Sequence, residues 1–223
     1  MKSFFFRKTE KAKRKTVLFV FLLAAILVPG CAREPSGPPA RGLVEQVIDG
    51  DTLVLAGGAR VRLLGIDAPE MEKEGRPAEF LAHQSRAALA EMTQGKVIRL
   101  EYDQLRYDHY GRLLAYIHLP DNTPVNLELL RRGLARVYAH PPNGRHREIL
   151  LAAQRQAMDA RRGLWQKALN QDAPYYLANR NTLRFHRPDC PLAQKMAPAN
   201  RVKIGTLKEA YLEGYSPCRN CKP

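Results

Sequence analysis

Acidic side chains are scarce in this sequence. Across 223 residues, 22 Asp and Glu face 36 Lys and Arg, a formal net charge of +14. That deficit excludes an acidic, solvating chain and points to a polyanionic partner, either nucleic acid or a membrane surface. Long hydrophobic runs are missing as well. The conspicuous apolar stretch, Val17–Val28, has 12 residues, about 18 Å as a helix against a bilayer core of ~30 Å. No internal repeat is present. Cysteine is limited to four residues. Hydrophobic content, at 45%, is ordinary for a globular chain and excludes wholesale disorder. The length suits one or two domains.

The apolar run follows a basic segment and ends in "VPGC". A basic start, a short apolar stretch and a small residue at the break are the layout of a secretory leader. The break resembles the lipobox of bacterial lipoproteins, with Cys31 as the residue to be lipidated. Plain secretion or an uncleaved anchor stays open, because Pro29 is an unusual occupant. The first thirty residues carry seven basic and one acidic side chain, so without them the chain is still at +8. Residues 31–42, rich in Pro, Gly and Ser, read as a tether.

From Leu43 the pattern shortens into strands: "LVEQVI", "TLVLA", "RVRLLGI", "VIRLEYD" and "RLLAYIHL". A "GG" turn joins the second and third. Helices are expected over Pro77–Met92, Val125–Arg132 with Gly133 as its cap, and Arg145–Leu164 with Ile149, Ala153, Ala157, Ala160 and Leu164 on one face. Five strands with inserted helices fit a Greek-key barrel of the OB type. Its strand ends collect acids and arginines. Asp49 and Asp51 flank Gly50, and Asp67 and Glu70 close "GIDAPE". Arg62 and Arg112 sit on strands. Carboxylates and a carbonyl form a hard-oxygen set for Ca²⁺, a further carboxylate can take a proton from water, and two guanidiniums can clamp a phosphodiester.

The order "VIDGDT … VRLLGIDAPE … DHYGRLLAYIHL … VNLELLRRGLARV" resembles the staphylococcal nuclease family over roughly residues 42–165. The resemblance implies a five-stranded OB barrel with three helices that cuts DNA or RNA with Ca²⁺. It assigns Asp51, Asp67 and the Ala68 carbonyl to the cation, where the family has a Thr at the last position. Glu70 becomes the general base or water-positioning residue, and Arg62 and Arg112 bind the phosphate. Tyr110 and Tyr138 contact the substrate. Asp49 is at most a supporting residue or a turn residue. The loop after Glu70 is shorter than the family's, and "LARVYAHPPN" offers only one clear Tyr of an expected pair.

If Cys31 carries lipid, Cys190, Cys218 and Cys221 remain. Three is awkward for disulfides and comfortable for a metal with one histidine, His186, in "FHRPDC … PCRNC". Four protein ligands would leave no open position, which indicates structural Zn²⁺. A Cys218–Cys221 disulfide is the alternative. The pattern resembles the small zinc-binding domains of the Ada type, with His in place of one Cys. The expected organisation is a leader over 1–30, the tether, a barrel domain over 43–165, a linker over 166–174, and a zinc-stabilised α+β domain over 175–223. The basic surface of that last domain is compatible with holding DNA. The reading is an exported, lipid-anchored, calcium-dependent nuclease of the cell envelope. A non-catalytic nucleic-acid-binding protein and a metal-stabilised envelope protein are the rivals.

Overall fold

The computed structural model describes Met1 and residues 37–223; the leader and Cys31 lie outside the described residues. Five strands close a barrel: β1 (Arg41–Val47), β2 (Thr52–Leu55), β3 (Arg60–Leu63), β5 (Val97–Tyr107) and β6 (Leu113–His118), in the order β1-β2-β3-β6-β5. All pairs are antiparallel except β3 with β6, which run parallel with Arg62 opposite Leu114. The alternation read from the sequence becomes the pleat. Val44, Val47, Leu53, Leu55, Val61, Leu63, Ile98, Leu100, Leu113 and Ile117 are buried. Closing the sheet on itself removes its edges and fills its interior.

The seven-residue run "RVRLLGI" does not stay one strand. Gly65, at φ 75°, turns the chain after β3, and the two-residue β4 (Ile66–Asp67) pairs instead with β7 (Arg136–Val137), placing Asp67 opposite Arg136. The first expected helix also starts late. Leu81 sits at φ 67° and α1 spans Ala82–Thr93. Residues that would have formed its first turn are held elsewhere, because Glu79 exchanges hydrogen bonds with the Glu70 backbone. Helix α2 (Val125–Arg131) ends at Gly133 as expected, with φ 67°. Helix α3 (Arg147–Asp159) is shorter than the expected span. It stops before Arg161 at φ 49° and gives way to a 3₁₀ turn at Gly163–Gln166. Its buried face is Leu150, Leu151, Ala153, Gln154, Ala157 and Met158. Ile149, expected on that face, stands on its flank and is exposed.

The C-terminal segment forms a four-stranded sheet, β10-β8-β9-β11, from β8 (Tyr176–Asn179), β9 (Arg184–His186), β10 (Arg201–Ile204) and β11 (Ser216–Pro217). Helices α4 (Pro191–Gln194) and α5 (Leu207–Leu212) flank it. Thr206 caps α5 by accepting the Glu209 N–H at 3.0 Å, a sequence signature of helix starts. This sheet shares a core with the barrel's last helix. Ala157, Met158 and Trp165 pack with Tyr176, Phe185, Ile204 and Tyr211. Trp165 and Phe185 both meet the Tyr211 ring edge to face. Polar contacts seal the junction. The buried Gln154 accepts the Val137 N–H at 2.6 Å and donates to the Tyr211 carbonyl at 2.8 Å. Ser216 Oγ donates to the Val137 carbonyl at 2.9 Å.

Candidate active site

The site forms where β1 turns into β2 and β3 breaks into β4. In the turn, Asp49 Oδ1 accepts the Asp51 N–H at 2.9 Å, an Asx turn that makes Asp49 scaffolding. A Cβ on Gly50 would come within 2.6 Å of both the Ala68 and Ser85 side chains, so only glycine lets the turn lie this close. Asp51 then points inward. Its Oδ2 accepts the Ala68 N–H at 2.8 Å and lies 3.0 Å from Arg62 Nη2.

Arg62 has two tasks. Its Nη1 donates to the Leu63 and Ile66 carbonyls at 2.8 and 2.9 Å, clasping the turn that delivers Asp67. Its Nη2 also lies 3.2 Å from Asp67 Oδ1. One nitrogen is therefore shared by oxygens of Asp51 and Asp67, which converge on a single point. Two buried carboxylates meeting this way are a hard-oxygen donor pair suited to a divalent cation. Their surroundings differ. Burial pushes the Asp51 carboxyl up to about 7, with Arg62 pulling it back. Burial acts on Asp67 too, but Arg136, Arg62 and Arg219 outweigh it and hold that carboxyl below the usual range. Asp51 faces one guanidinium, that of Arg62, where Asp67 faces three.

Glu70 is exposed at the mouth of a cleft it lines with Asp51, Arg62, Lys73, Tyr110, Arg112 and Arg219. Arg112 enters on β6's threshold, oriented by Asp108. The Asp108 carboxylate accepts the Arg112 N–H at 3.0 Å and Arg112 Nε at 2.7 Å. Burial would raise the Asp108 carboxyl, but these hydrogen bonds lower it. The Tyr110 ring is 73% exposed, with Arg112 5.4 Å from its centroid. Tyr138 is placed differently: the Arg184 guanidinium covers its ring at 3.6 Å. The structure thus lines one cleft with Asp51, Arg62, Glu70, Arg112 and Tyr110. Asp67 reaches that cleft through Arg62 and lines a neighbouring pocket with Glu70 and Arg219, while the buried Ala68 donates its N–H to Asp51. Tyr138, half-buried beneath Arg184, lines an adjoining pocket with Tyr110, Arg62 and Arg112. Sequence reasoning missed Arg136, whose Nε and Nη2 both reach Asp67 Oδ2 at 3.2 Å. It also missed Asp108 as the partner of Arg112, and Arg219.

The second site lies in the C-terminal sheet. His186 ends β9, Cys190 precedes α4, Cys218 follows β11, and Cys221 is in the last turn. Their four ligand atoms lie within 4.8 Å of one another. Cys190, Cys218 and Cys221 are free, so the disulfide alternative is set aside. Backbone N–H groups of Arg187 and Asn220 point at Cys221 and Cys218 Sγ, 3.5 and 3.4 Å away. Burial, together with the neighbouring thiols, pushes Cys221 up to about 12. Burial works on Cys190 too, but the backbone N–H groups of Ala193 and Leu192 and the neighbouring thiols hold it below the usual thiol range. A closed Cys₃His set is a structural zinc donor set.

A closed OB barrel with a carboxylate–guanidinium cleft, joined to a Cys₃His unit, defines the class of protein. Residues 60–167 match the family model of the staphylococcal nuclease homologue, and residues 162–223 match that of the metal binding domain of Ada. The chain is 36% identical over 128 residues to the thermonuclease of Staphylococcus intermedius, covering 56% of this chain and 76% of that protein. It is 31% identical over 167 residues to the thermonuclease of Staphylococcus hyicus, covering 69% and 98%. An uncharacterized endonuclease of Escherichia coli is 32% identical over 130 residues, covering 57% of this chain and 78% of that one. The chain belongs to the staphylococcal nuclease family and carries an Ada-type zinc-binding unit at its C-terminus.

Proposed function

We propose that this chain is a calcium-dependent nuclease that hydrolyses phosphodiester bonds of DNA or RNA. The observation that carries the reading is the convergence of Asp51 and Asp67 on Arg62 Nη2, at 3.0 and 3.2 Å, beside a cleft that Asp51 and Arg62 line with Glu70 and Arg112. Asp51, Asp67 and the Ala68 carbonyl would hold the ion, which when bound supplies positive charge for the phosphate's developing negative charge. Glu70, open to solvent, takes a proton from the attacking water. The water oxygen bonds to phosphorus as the bond to the leaving oxygen breaks. Arg62 and Arg112 donate to the phosphate oxygens as charge builds on them. Asp108 keeps Arg112 aimed at that position, and Tyr110 offers an open ring for a base, a stack worth about 1–3 kcal/mol.

The deciding experiment is a zymogram of the purified chain in calcium and in a calcium-selective chelator. Clearing in calcium alone is expected; clearing that ignores calcium overturns the reading. Binding without clearing in either condition would favour the non-catalytic rival. The same proposal places the chain in the cell envelope, with Cys31 lipidated and a membrane as its second partner. Fatty-acid labelling that persists in Cys31→Ala, or is missing from the unaltered chain, would sink that part.

A further inference from the structure

The C-terminal knuckle that carries Cys218 and Cys221 also carries Arg219, and this guanidinium leaves its own unit. Arg219 Nη2 lies 2.6 Å from Asp67 Oδ1 and 3.4 Å from Glu70 Oε1. The knuckle is held in place beside them. Ser216 and Gln154 tie its approach to β7 and α3, and Lys222 Nζ lies 2.7 Å from Glu79 Oε1. Arg184, from β9, donates to the Ala139 carbonyl at 3.1 Å. Contacts on both sides of residue 219 therefore set where its side chain reaches.

Asp67 has no capacity left. Its Oδ1 receives Arg62 Nη2 and Arg219 Nη2, and its Oδ2 receives Arg136 Nε and Nη2. Four N–H donors fill the roughly four lone-pair positions of a carboxylate. A cation that takes an Asp67 oxygen has to evict one of them. Arg62 is locked by two carbonyls. Arg136 is the cross-strand partner of Asp67, and its side chain is only 21% exposed. The Arg219 side chain is 56% exposed, so it is the donor free to leave.

We propose that Arg219 is a residue of the cation site: a tethered guanidinium, supplied by the zinc-binding unit, that holds Asp67 until a divalent cation displaces it. The inference rests on the calcium-dependent reading above. Guanidinium and cation compete for the same oxygen, and each weakens the other's hold. The zinc-binding unit thereby sets how much calcium the barrel requires.

Calcium binding, measured by titration calorimetry on the full zinc-loaded chain at one ionic strength, tests this without reading activity. Removing the competitor in Arg219→Ala should tighten calcium binding about five- to tenfold, the low end of site–site coupling because the side chain is half exposed. Arg219→Gln, which keeps length and loses charge, should tighten it comparably and stands in if the alanine variant folds poorly. Arg219→Lys should stay close to the unaltered chain. Lys208→Ala, which removes one positive charge beside Asp159 and away from the cleft, should change nothing. Unchanged or weaker calcium binding in a zinc-replete Arg219→Gln overturns the proposal, as does an equal gain in Lys208→Ala. An unaltered chain that binds no calcium defeats the underlying reading instead, and the inference with it.

Discussion

At the residue scale, each charged group of the cleft is held by something specific, and the manner of holding separates the expected losses. Glu70 is exposed and makes one long ion pair, so Glu70→Gln should leave the fold and nucleic-acid binding intact. Its cutting rate should fall by roughly 10²–10⁴-fold. Arg112→Ala removes a donor from the phosphate and should cost about 10²–10³-fold in kcat. Asp108→Asn keeps Arg112 present but loosens its aim, so it should lose less than Arg112→Ala. Combining the two should cost no more than Arg112→Ala alone. Single-turnover kinetics at fixed salt would check the ranking, since binding to a polyanion falls steeply with salt. A Glu70→Gln variant as fast as the unaltered chain would remove the proton-transfer role. The meeting of Arg62 and Asp51 in one cleft was legible because they lie in short contiguous motifs. Arg136 and Arg219 were not, since they reach Asp67 from 69 and 152 residues away. No local pattern encodes such a distance.

Elements show the same division between local and distant causes. Strand alternation was enough to find the five barrel strands, because the pleat and the hydrophobic period coincide. Helix ends were read less well, since they were set by partners outside the helix. Glu79 was drawn to the Glu70 backbone, and Arg161 was turned into the left-handed region. One cluster of elements has a defined response to acid. Glu101 on β5 accepts His118 from β6 at 2.9 Å and His146, at the start of α3, at 2.7 Å. Burial works to raise its carboxyl; the His146 and His118 hydrogen bonds, with Arg145 adding, overcome this and hold it below the usual range. A carboxyl lowered on folding adds stability above its unfolded value of about 4.3. That stability disappears as pH falls through the folded value. Glu101→Gln should therefore lower Tm at pH 7, by about 2–4 °C for each kcal/mol lost. The gap to the unaltered chain should close as the acid end is approached. A gap that is constant from pH 7 to pH 3 would contradict the assignment.

For the whole molecule, the two sites are joined by structure rather than by a tether. The chain's one tryptophan, Trp165, is buried against Tyr211 in the core that α3 shares with the C-terminal sheet. About one zinc per chain is expected by elemental analysis. A zinc-selective chelator should shift Trp165 emission to the red as that core opens, while the barrel's strand signal in circular dichroism persists. Zinc removal that leaves the tryptophan spectrum untouched would show that the Cys₃His set does not hold the shared core. The same core bears on ancestry. The two family matches overlap across residues 162–167, and Ala157 and Met158, upstream of that overlap, already furnish the floor on which Phe185 and Tyr211 rest. A C-terminal unit transplanted from residue 175 onward would arrive without its floor, and the barrel left behind would present bare apolar surface. A transplant of the zinc-binding unit that keeps its core therefore has to include the second part of α3, so the practical seam between the two parts runs through a helix.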